Sequence, residues 1–442
     1  MRKYVIEQSK EEVYTSHAGL ALVGLILNRY TSLTELTKRG VPQMKGIPHI
    51  DIIRSYAALL AMGKSDFEAI ENHRMDPHFQ TALGAKEVPS ASALRQQLDE
   101  HAVEFKEVVN SCVVEAIRRG NGTITPLYTG HVPLDIDVFP MDNSNTKKEL
   151  VGRTYKNYDG FAPIAAYLGM EGWALEVELR PGVQHSQKDF IPFLDRVLLQ
   201  ARKLTTKKIL VRLDSAHDAI DTRVKLREEK KVSSILKWNP RSKTAASDWY
   251  EYAFANGEVS EPRAGKKVAL FTKRITQEYK GKKYVFTRVM RLIERTIDKH
   301  GQMLLVPDLE IEGWWTSLDL PEQKIIKLYE NHGLSEQFHS EFKTDLDLER
   351  LPSGKFATNS LVMSVAALVF NILRLIGQEG LLGVDSPVRH KAKRRRLKTV
   401  LQEIIYLAAR IISSGRRLKL RFSRHCPAFE VFDKLYSRFS VG

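Results

Sequence analysis

Apolar residues recur at helical spacing through the first 130 or so positions of the chain. The stretches GLALVGLILNRYTSLTELTKRG and IDIIRSYAALLAMG show it best, with apolar side chains three and four apart. Ser65 and Ser90 stand where helix N-caps are expected, Ser90 especially, in VPSASALRQQLDEH. At His131 the pattern changes to strict alternation. VPLDIDVF puts Leu134, Ile136 and Val138 on one strand face and Asp135 and Asp137 on the other. FAPIAAYLG and WALEVELRP read as two further strands. HSQKDFIPFLDRVLLQARKL reads as an amphipathic helix and KKILVRLDSAHD as a strand ending in Asp214. DAIDTRVKLREEKK is then a helix and VSSILKWN another strand.

From 239 to about 320 the chain offers many short strand candidates with Gly and Lys turns between them. EYAFANGE, KKVALFTKRIT, KKYVFTRVMRLIE and GQMLLVPDLE are the clearest, so a β-rich insertion is expected. A helix is expected over 335–343. Phe338 and Phe342 share one of its faces. Glu336, His339 and Lys343 share another and line a polar stripe, although a solvated helix face would look the same. The apolar run LVMSVAALVFNILRLIG follows. Its core, 361–376, contains Asn371 and Arg374, is too short to span a bilayer, and reads as a buried helix. The tail carries two basic clusters, HKAKRRRLK and GRRLKLRFSRH, on either side of an expected apolar helix, VLQEIIYLAARII. Five regions result: a helical DNA-binding or accessory domain (1–130), the first part of an α/β core (131–238), the β-rich insertion (239–320), the second part of the core (321–380) and a basic helical C-terminal region (381–442).

Composition narrows the partners. With 43% hydrophobic and 27% charged residues among 442, a sizeable core is expected. The net charge of +15 points to a polyanion, most simply nucleic acid. Anionic membrane fits less well, because no strongly amphipathic basic helix stands alone. Arg394, Arg395 and Arg396 are the densest part of the tail and are expected to contact phosphate. The helix after Ser90, with Arg95 near its start, reads either as a recognition helix or as part of a small bundle. Cys112 and Cys426 lack metal-ligand spacing and read as free thiols in a reducing compartment. The N-terminal MRKYVIEQSKEEVY lacks the apolar core of a signal peptide.

Two aspartates on strands and a glutamate on a helix are the chemical constellation. Adjacent strand ends can set two carboxylates side by side, and a neighbouring helix can supply a third. Asp137, Asp214 and Glu336 would then gather hard divalent cations, which prefer carboxylate oxygens and phosphate. Asp137 is preferred over Asp135 because it lies nearer the C-terminal end of its strand, with Asp135 as the alternative ligand.

The order β-β-β-α-β-α-β is that of the ribonuclease-H-like fold, a mixed sheet with flanking helices. Tyr329, His332, Glu336 and Lys343 keep a spacing close to the Tyr-Arg-Glu-Lys signature of a group of bacterial insertion-sequence transposases. Together with LDID, VRLDSAHD and LPSGKFATN, they make residues 130–376 resemble a DDE transposase core. The resemblance implies two Mg²⁺ ions, with Mn²⁺ able to substitute, held by Asp137, Asp214 and Glu336. It implies cut-and-paste cleavage of transposon ends and their joining to target DNA. It also implies a homodimer in a synaptic complex on terminal inverted repeats, in the bacterial cytoplasm at the nucleoid, with no membrane partner. Tyr329 and Lys343 would contact the transposon end. His332 departs from the expected Arg, which puts its phosphate contact in doubt. Trp314 and Trp315 are candidates for stacking on a flipped base, as in hairpin-forming members, or are simply core. The alternatives are another ribonuclease-H-like metal-dependent nuclease, or a non-catalytic DNA-binding protein derived from a transposase. The presence of all three acids counts against the last.

Overall fold

The computed structural model describes residues 3–37, 46–415 and 417–441. The last positions of the first helical stretch, 38–40, and Arg416 of the basic tail lie outside them. The architecture is mixed α/β, built on a nine-stranded sheet. All five strands expected between 131 and 238 are present. Val132–Val138 pairs antiparallel with Ile164–Leu168, which pairs antiparallel with Trp173–Glu178. On its other edge Val132–Val138 runs parallel to Ile209–Leu213, and that strand runs parallel to Val232–Lys237. Helix Phe190–Leu204 covers one sheet face, where Phe193, Leu194 and Val197 bury against Leu134, Ile136 and Val211.

The insertion is not a separate sheet. Its strand Met303–Thr316 pairs antiparallel with Val232–Lys237 and so extends the core. Beyond it lie Lys282–Ile297, Lys266–Tyr279 and Glu258–Arg263, each antiparallel to its neighbour. One expected strand is a helix instead. EYAFAN folds within the helix Tyr250–Asn256, because Trp249, Tyr252 and Ala253 fall on one face and pack on strand Lys266–Tyr279. Trp249 and Tyr252 meet Phe271 at ring distances of 5.9 and 5.5 Å. An i, i+3, i+4 contact of this kind outweighs the local aromatic alternation.

The helix Phe356–Gly380 is longer than the pattern at 361–376 indicated. By length and composition it could cross a membrane, yet its apolar window is entirely buried inside the protein. Against it pack the N-terminal helices His49–Ala61 and Ala102–Arg119, and one continuous core runs through all three. Asn371 satisfies its amide in this core by donating to Val113 O (3.0 Å) and Ala174 O (2.8 Å) and accepting from Ala174 N (3.0 Å). Each buried polar atom of the side chain thus has a partner, which is the condition for placing it there.

Two readings of the ends need correction. Ser90 caps helix Ala91–Glu100 by accepting from Ala93 N at 3.2 Å. Ser65 caps nothing. Asp66 accepts from Glu68 N at the start of the turn Phe67–His73, and Ser65 Oγ turns to Asp347 (3.2 Å). In the tail, VLQEIIYLAARII is not one helix. Leu397–Val400 passes into a π-helical turn, Leu401–Ile405, and the chain then enters strand Ala409–Ser414. That strand pairs with Arg417–Phe422 on one side and with Val13–Thr15 on the other. The β-branched Ile411 and Ile412 suit a strand once a partner edge exists, and that edge comes from the far end of the chain.

Candidate active site

The site forms on the sheet face opposite helix Phe190–Leu204. Alternation along Val132–Val138 sends Asp135 and Asp137 to this face. The parallel register sets Asp135 beside Arg212 and Ile136 beside Leu213. Asp214 follows Leu213 at the strand end, where its carboxylate accepts from Ala216 N at 3.2 Å. Asp137 and Asp214 therefore leave neighbouring strands at the same end of the sheet.

Asp135 is fully engaged. Arg212 donates to its two oxygens at 2.6 and 2.7 Å, and its remaining nitrogen donates to Leu328 O at 2.7 Å. The carboxylate and the guanidinium are 4% and 2% exposed, so this is a buried bidentate pair. His332 Nδ1 adds a 3.1 Å charge contact to Asp135. Burial alone would raise the Asp135 pKa, but Arg212 and His332 outweigh it and hold the group below its ordinary value.

Asp137 has the opposite surroundings. Burial, then the charge of Asp214 and to a smaller degree that of Glu336, push its pKa up to about 7, against His332 and the Val138 amide. That amide donates to Asp137 Oδ1 at 2.8 Å. Burial also raises the Asp214 pKa. Each aspartate has a histidine near it: His332 by Asp135, His339 by Asp137 (4.0 Å) and His217 by Asp214 (3.8 Å). Only His332 has a raised pKa, because Asp135 and Asp137 overcome the effect of its burial. Burial lowers His217 and His339 to about 3, so both are neutral and offset no charge.

Glu336 arrives on the short helix Leu334–Ser340, which ends in a π-helical turn, Glu341–Asp345. Its Phe face is buried as the pattern required. Phe338 meets Tyr167 of the sheet at 4.9 Å, and Phe342 stacks on Phe370 of the central helix at 4.5 Å. Gly172 makes the Phe338 contact feasible: a Cβ there would meet the ring at 2.2 Å, and its φ of +72° favours glycine. Glu336 itself is exposed. The expected polar stripe is divided. His339 is buried and stacks on Phe139 at 4.4 Å. Lys343 donates to Pro140 O at 2.8 Å and pairs with Glu349 at 3.0 Å, so it ties this turn to the chain just past Asp137.

Several expected DNA contacts lie elsewhere. Trp314 and Trp315 are 1% and 5% exposed, so they belong to the core and cannot present a face to a base. Trp314 packs among Leu210, Ile235 and Ile325, and Trp315 against Phe286. His332 is buried against Asp135, with no phosphate-facing surface. Arg394 pairs with Glu341 and donates to Gln337, Arg395 is buried on backbone carbonyls, and Arg396 pairs with Asp345. Tyr329 is half-buried, and burial together with Asp214, Asp137 and Asp135 raises its pKa, which places it beside the acids. Two neighbours of the acids were not singled out from sequence. Arg212 carried a signal, since a strand-borne arginine two residues before Asp214 opposes a strand-borne aspartate. Tyr155 carried none, because it comes from a loop. Its hydroxyl donates to Val138 O at 3.3 Å while its ring is 60% exposed at the mouth of the site.

Among the described residues, no three His, Cys, Asp or Glu side chains are gathered into a group that could hold a metal ion. Asp214 and Glu336 are near enough to Asp137 for their charges to act on it, without the three carboxylates meeting at a point. Carboxylate oxygens with uncompensated charge are nonetheless a donor set suited to Mg²⁺ or Mn²⁺.

The family described as "Transposase DDE domain group 1" matches residues 6–441, and the chain belongs to that family. No curated protein matches the chain. Among solved structures it is similar to one described as a cryo-EM structure of the piggyBac transposase synaptic complex with hairpin DNA. The two share 12% identity at a TM-score of 0.40, over 90% of this chain and 82% of that one.

Proposed function

We propose that the chain is a cut-and-paste DDE transposase whose ribonuclease-H-like core acts on DNA through Asp137, Asp214 and Glu336. The observation that carries this reading is that Asp137 and Asp214 leave neighbouring parallel strands at the same end of the sheet in a chain of the DDE family. Burial and the neighbouring acids raise the Asp137 pKa to about 7. Such a cluster is unfavourable on its own and calls for a cation to offset it. Two divalent ions, Mg²⁺ or Mn²⁺, held by the three carboxylates would supply activation of the attacking oxygen and stabilisation of the leaving one. The chain's own residues supply the rest. Asp137 holds a proton near neutral pH and must release it to become a ligand. Asp214 is oriented by the Ala216 amide. Arg212 holds Asp135 out of the ligand set, which favours Asp137 as the first acid. Tyr155 and Tyr329 flank the acids and would meet the DNA end, while Lys343 anchors the Glu336 segment to the strand end.

In this reading water first cleaves one strand at each transposon end, and the freed 3′-hydroxyl then attacks. The signature of the insertion-sequence group is kept at Tyr329, Glu336 and Lys343, while the buried His332 replaces its arginine. The net charge of +15 supports a DNA partner, and a dimer on paired ends follows from the family's mode of action. The test is an excision and joining reaction on a donor plasmid with inverted repeats taken from the DNA bracketing its reading frame. Joined target products in Mg²⁺ are expected. Cleaved ends without joining would favour the nuclease alternative, and binding without cleavage the non-catalytic one.

A further inference from the structure

The run Arg394, Arg395, Arg396 is the most basic in the chain, yet each guanidinium is paired within the chain. The side chains of Arg394 and Arg396 find different partners from that of Arg395 between them. Arg395 turns one way and anchors the segment. It donates to Leu381 O (2.8 Å), Val388 O (3.1 Å) and His390 O (2.8 Å). Its own carbonyl accepts from Arg374 of the central helix at 2.9 Å. Arg394 and Arg396 turn the other way, onto the segment that carries Glu336. Arg394 donates to Gln337 Oε1 at 2.9 Å, pairs with Glu341, and lies 4.6 Å from the centre of the Phe338 ring. Arg396 donates to Ser340 Oγ at 2.9 Å and pairs with Asp345, which also accepts from Lys398 N at 3.0 Å.

Glu341 and Asp345 have carboxyl groups 1% and 0% exposed, so each needs its arginine. Arg374 meets Glu341 from the other side. The π-helical turn that carries both acids is a local departure from α-helix of the kind that recurs at functional sites. The helix is thus gripped at 337, 338, 340, 341 and 345 by residues more than fifty positions later, while Glu336, one residue before the first of them, stays exposed.

We propose that residues 394–396 form a clamp on the Glu336 helix and that Arg394 and Arg396 are positioning residues for that acid. The inference rests on reading Glu336 as the third acid. The clamp makes the placement of Glu336 depend on a segment outside the sheet, and a displacement of about 1 Å at such a group can cost up to a hundredfold in rate.

The experiment uses the full chain with Arg394→Ala, Arg394→Lys and Arg396→Gln. Amide hydrogen exchange across 334–345 is measured without DNA, and end cleavage is resolved into kcat and KM. Arg394→Ala and Arg396→Gln should speed exchange across 334–345 and lower kcat about tenfold or more, with KM for the DNA end within about twofold. Arg394→Lys should recover part of kcat. Unchanged exchange in Arg396→Gln, or a loss confined to KM, would overturn the clamp, and the second result would return these arginines to phosphate contact. If Arg394→Ala fails to fold, the half-exposed Arg396 decides the matter. Glu336→Gln separates the two readings. Should it cleave like the parent chain, the role of Glu336 falls, while the exchange experiment still decides whether the clamp exists.

Discussion

Asp135 and Asp137 leave the same face of one strand, two residues apart, and end in opposite electrostatic surroundings. Arg212 meets the first with hydrogen bonds of 2.6 and 2.7 Å, and His332, whose pKa is raised, brings its Nδ1 to 3.1 Å. The second has Asp214 and Glu336 as charged neighbours, and the histidine beside it is neutral. Asp135 is buried and Asp137 half-buried, and desolvation disfavours both charges. The difference lies in what replaces the lost water. At Asp135 the protein supplies its own countercharge, and the group acts as scaffold. At Asp137 it supplies more negative charge, and the deficit is left for a cation. In the sequence only position along the strand favoured Asp137; the electrostatic difference was not legible there, because each is an aspartate flanked by aliphatic residues.

The largest effect should come from the uncompensated end. Asp214→Asn or Glu336→Gln should lower strand cleavage by about a thousandfold or more, because an activating ligand is lost. DNA-end affinity, measured by band shift in Ca²⁺, should stay within a few-fold of the parent. Cleavage that survives either change would erase the contrast, since both ends of the strand would then be structural.

The compensated end should fail differently. Asp135→Ala strands the buried Arg212 guanidinium and should cost about 3–5 kcal/mol of unfolding free energy, read by urea denaturation. His332→Arg restores the residue that the transposase signature expects, but it brings a second guanidinium against Arg212 at a buried site. It should therefore destabilise the fold. An unchanged melting temperature in His332→Arg would show that the site opens to water more than the 6% exposure of His332 implies.

Much of this site was legible in sequence. Period-2 alternation placed Asp135 and Asp137 on one face, the strand end placed Asp214, and the i, i+4 phenylalanines gave the buried face of the helix that carries Glu336. Those are local patterns, and each reports one element's own geometry. The functions given to Trp314, Trp315 and the arginines at 394–396 were not legible. Burial depends on what packs against a residue. The strand bearing the tryptophans became interior when it joined the core sheet, and the basic run found buried Glu341 and Asp345. Arg212 and Asp135 illustrate the same limit, because their pairing is fixed by a register across 77 residues that no local pattern encodes. The C-terminal hairpin was missed for a similar reason, since its partner strand is Val13–Thr15 at the other end of the chain.

A smaller effect should follow pH. Asp137 has a folded pKa of about 7, above its ordinary aspartate value, so its protonated form is favoured by folding. The associated stability is fully present below the unfolded pKa and is lost as pH rises through about 7. In metal-free protein, Asp137→Asn removes the ionisation. It should raise the melting temperature by a few degrees at pH 8 and by less at pH 5, where only part of the penalty is present. Added Mn²⁺ should reverse the order at pH 8, because only the parent can bind the ion through this group. A stabilisation of equal size at both pH values would point to packing and not to charge.

The smallest effect concerns the cause of that shift. Burial leads the contributions at Asp137, and Asp214 and Glu336 add to it. Tyr155 lies near this carboxyl, with its hydroxyl on Val138 O, one residue along the chain. Tyr155→Ala should admit water to the carboxyl and lower its pKa, because desolvation weakens while the neighbouring acids stay in place. Binding of Mn²⁺ requires the ionised carboxylate and displaces its proton. The midpoint of the pH dependence of Mn²⁺ affinity should therefore move down in Tyr155→Ala. In Tyr155→Phe, which keeps the ring and loses only one hydrogen bond, it should stay near the parent. Equal shifts in the two variants would assign the effect to the hydroxyl, and no shift in either would leave the acids themselves as the main source of the difference between Asp137 and Asp135.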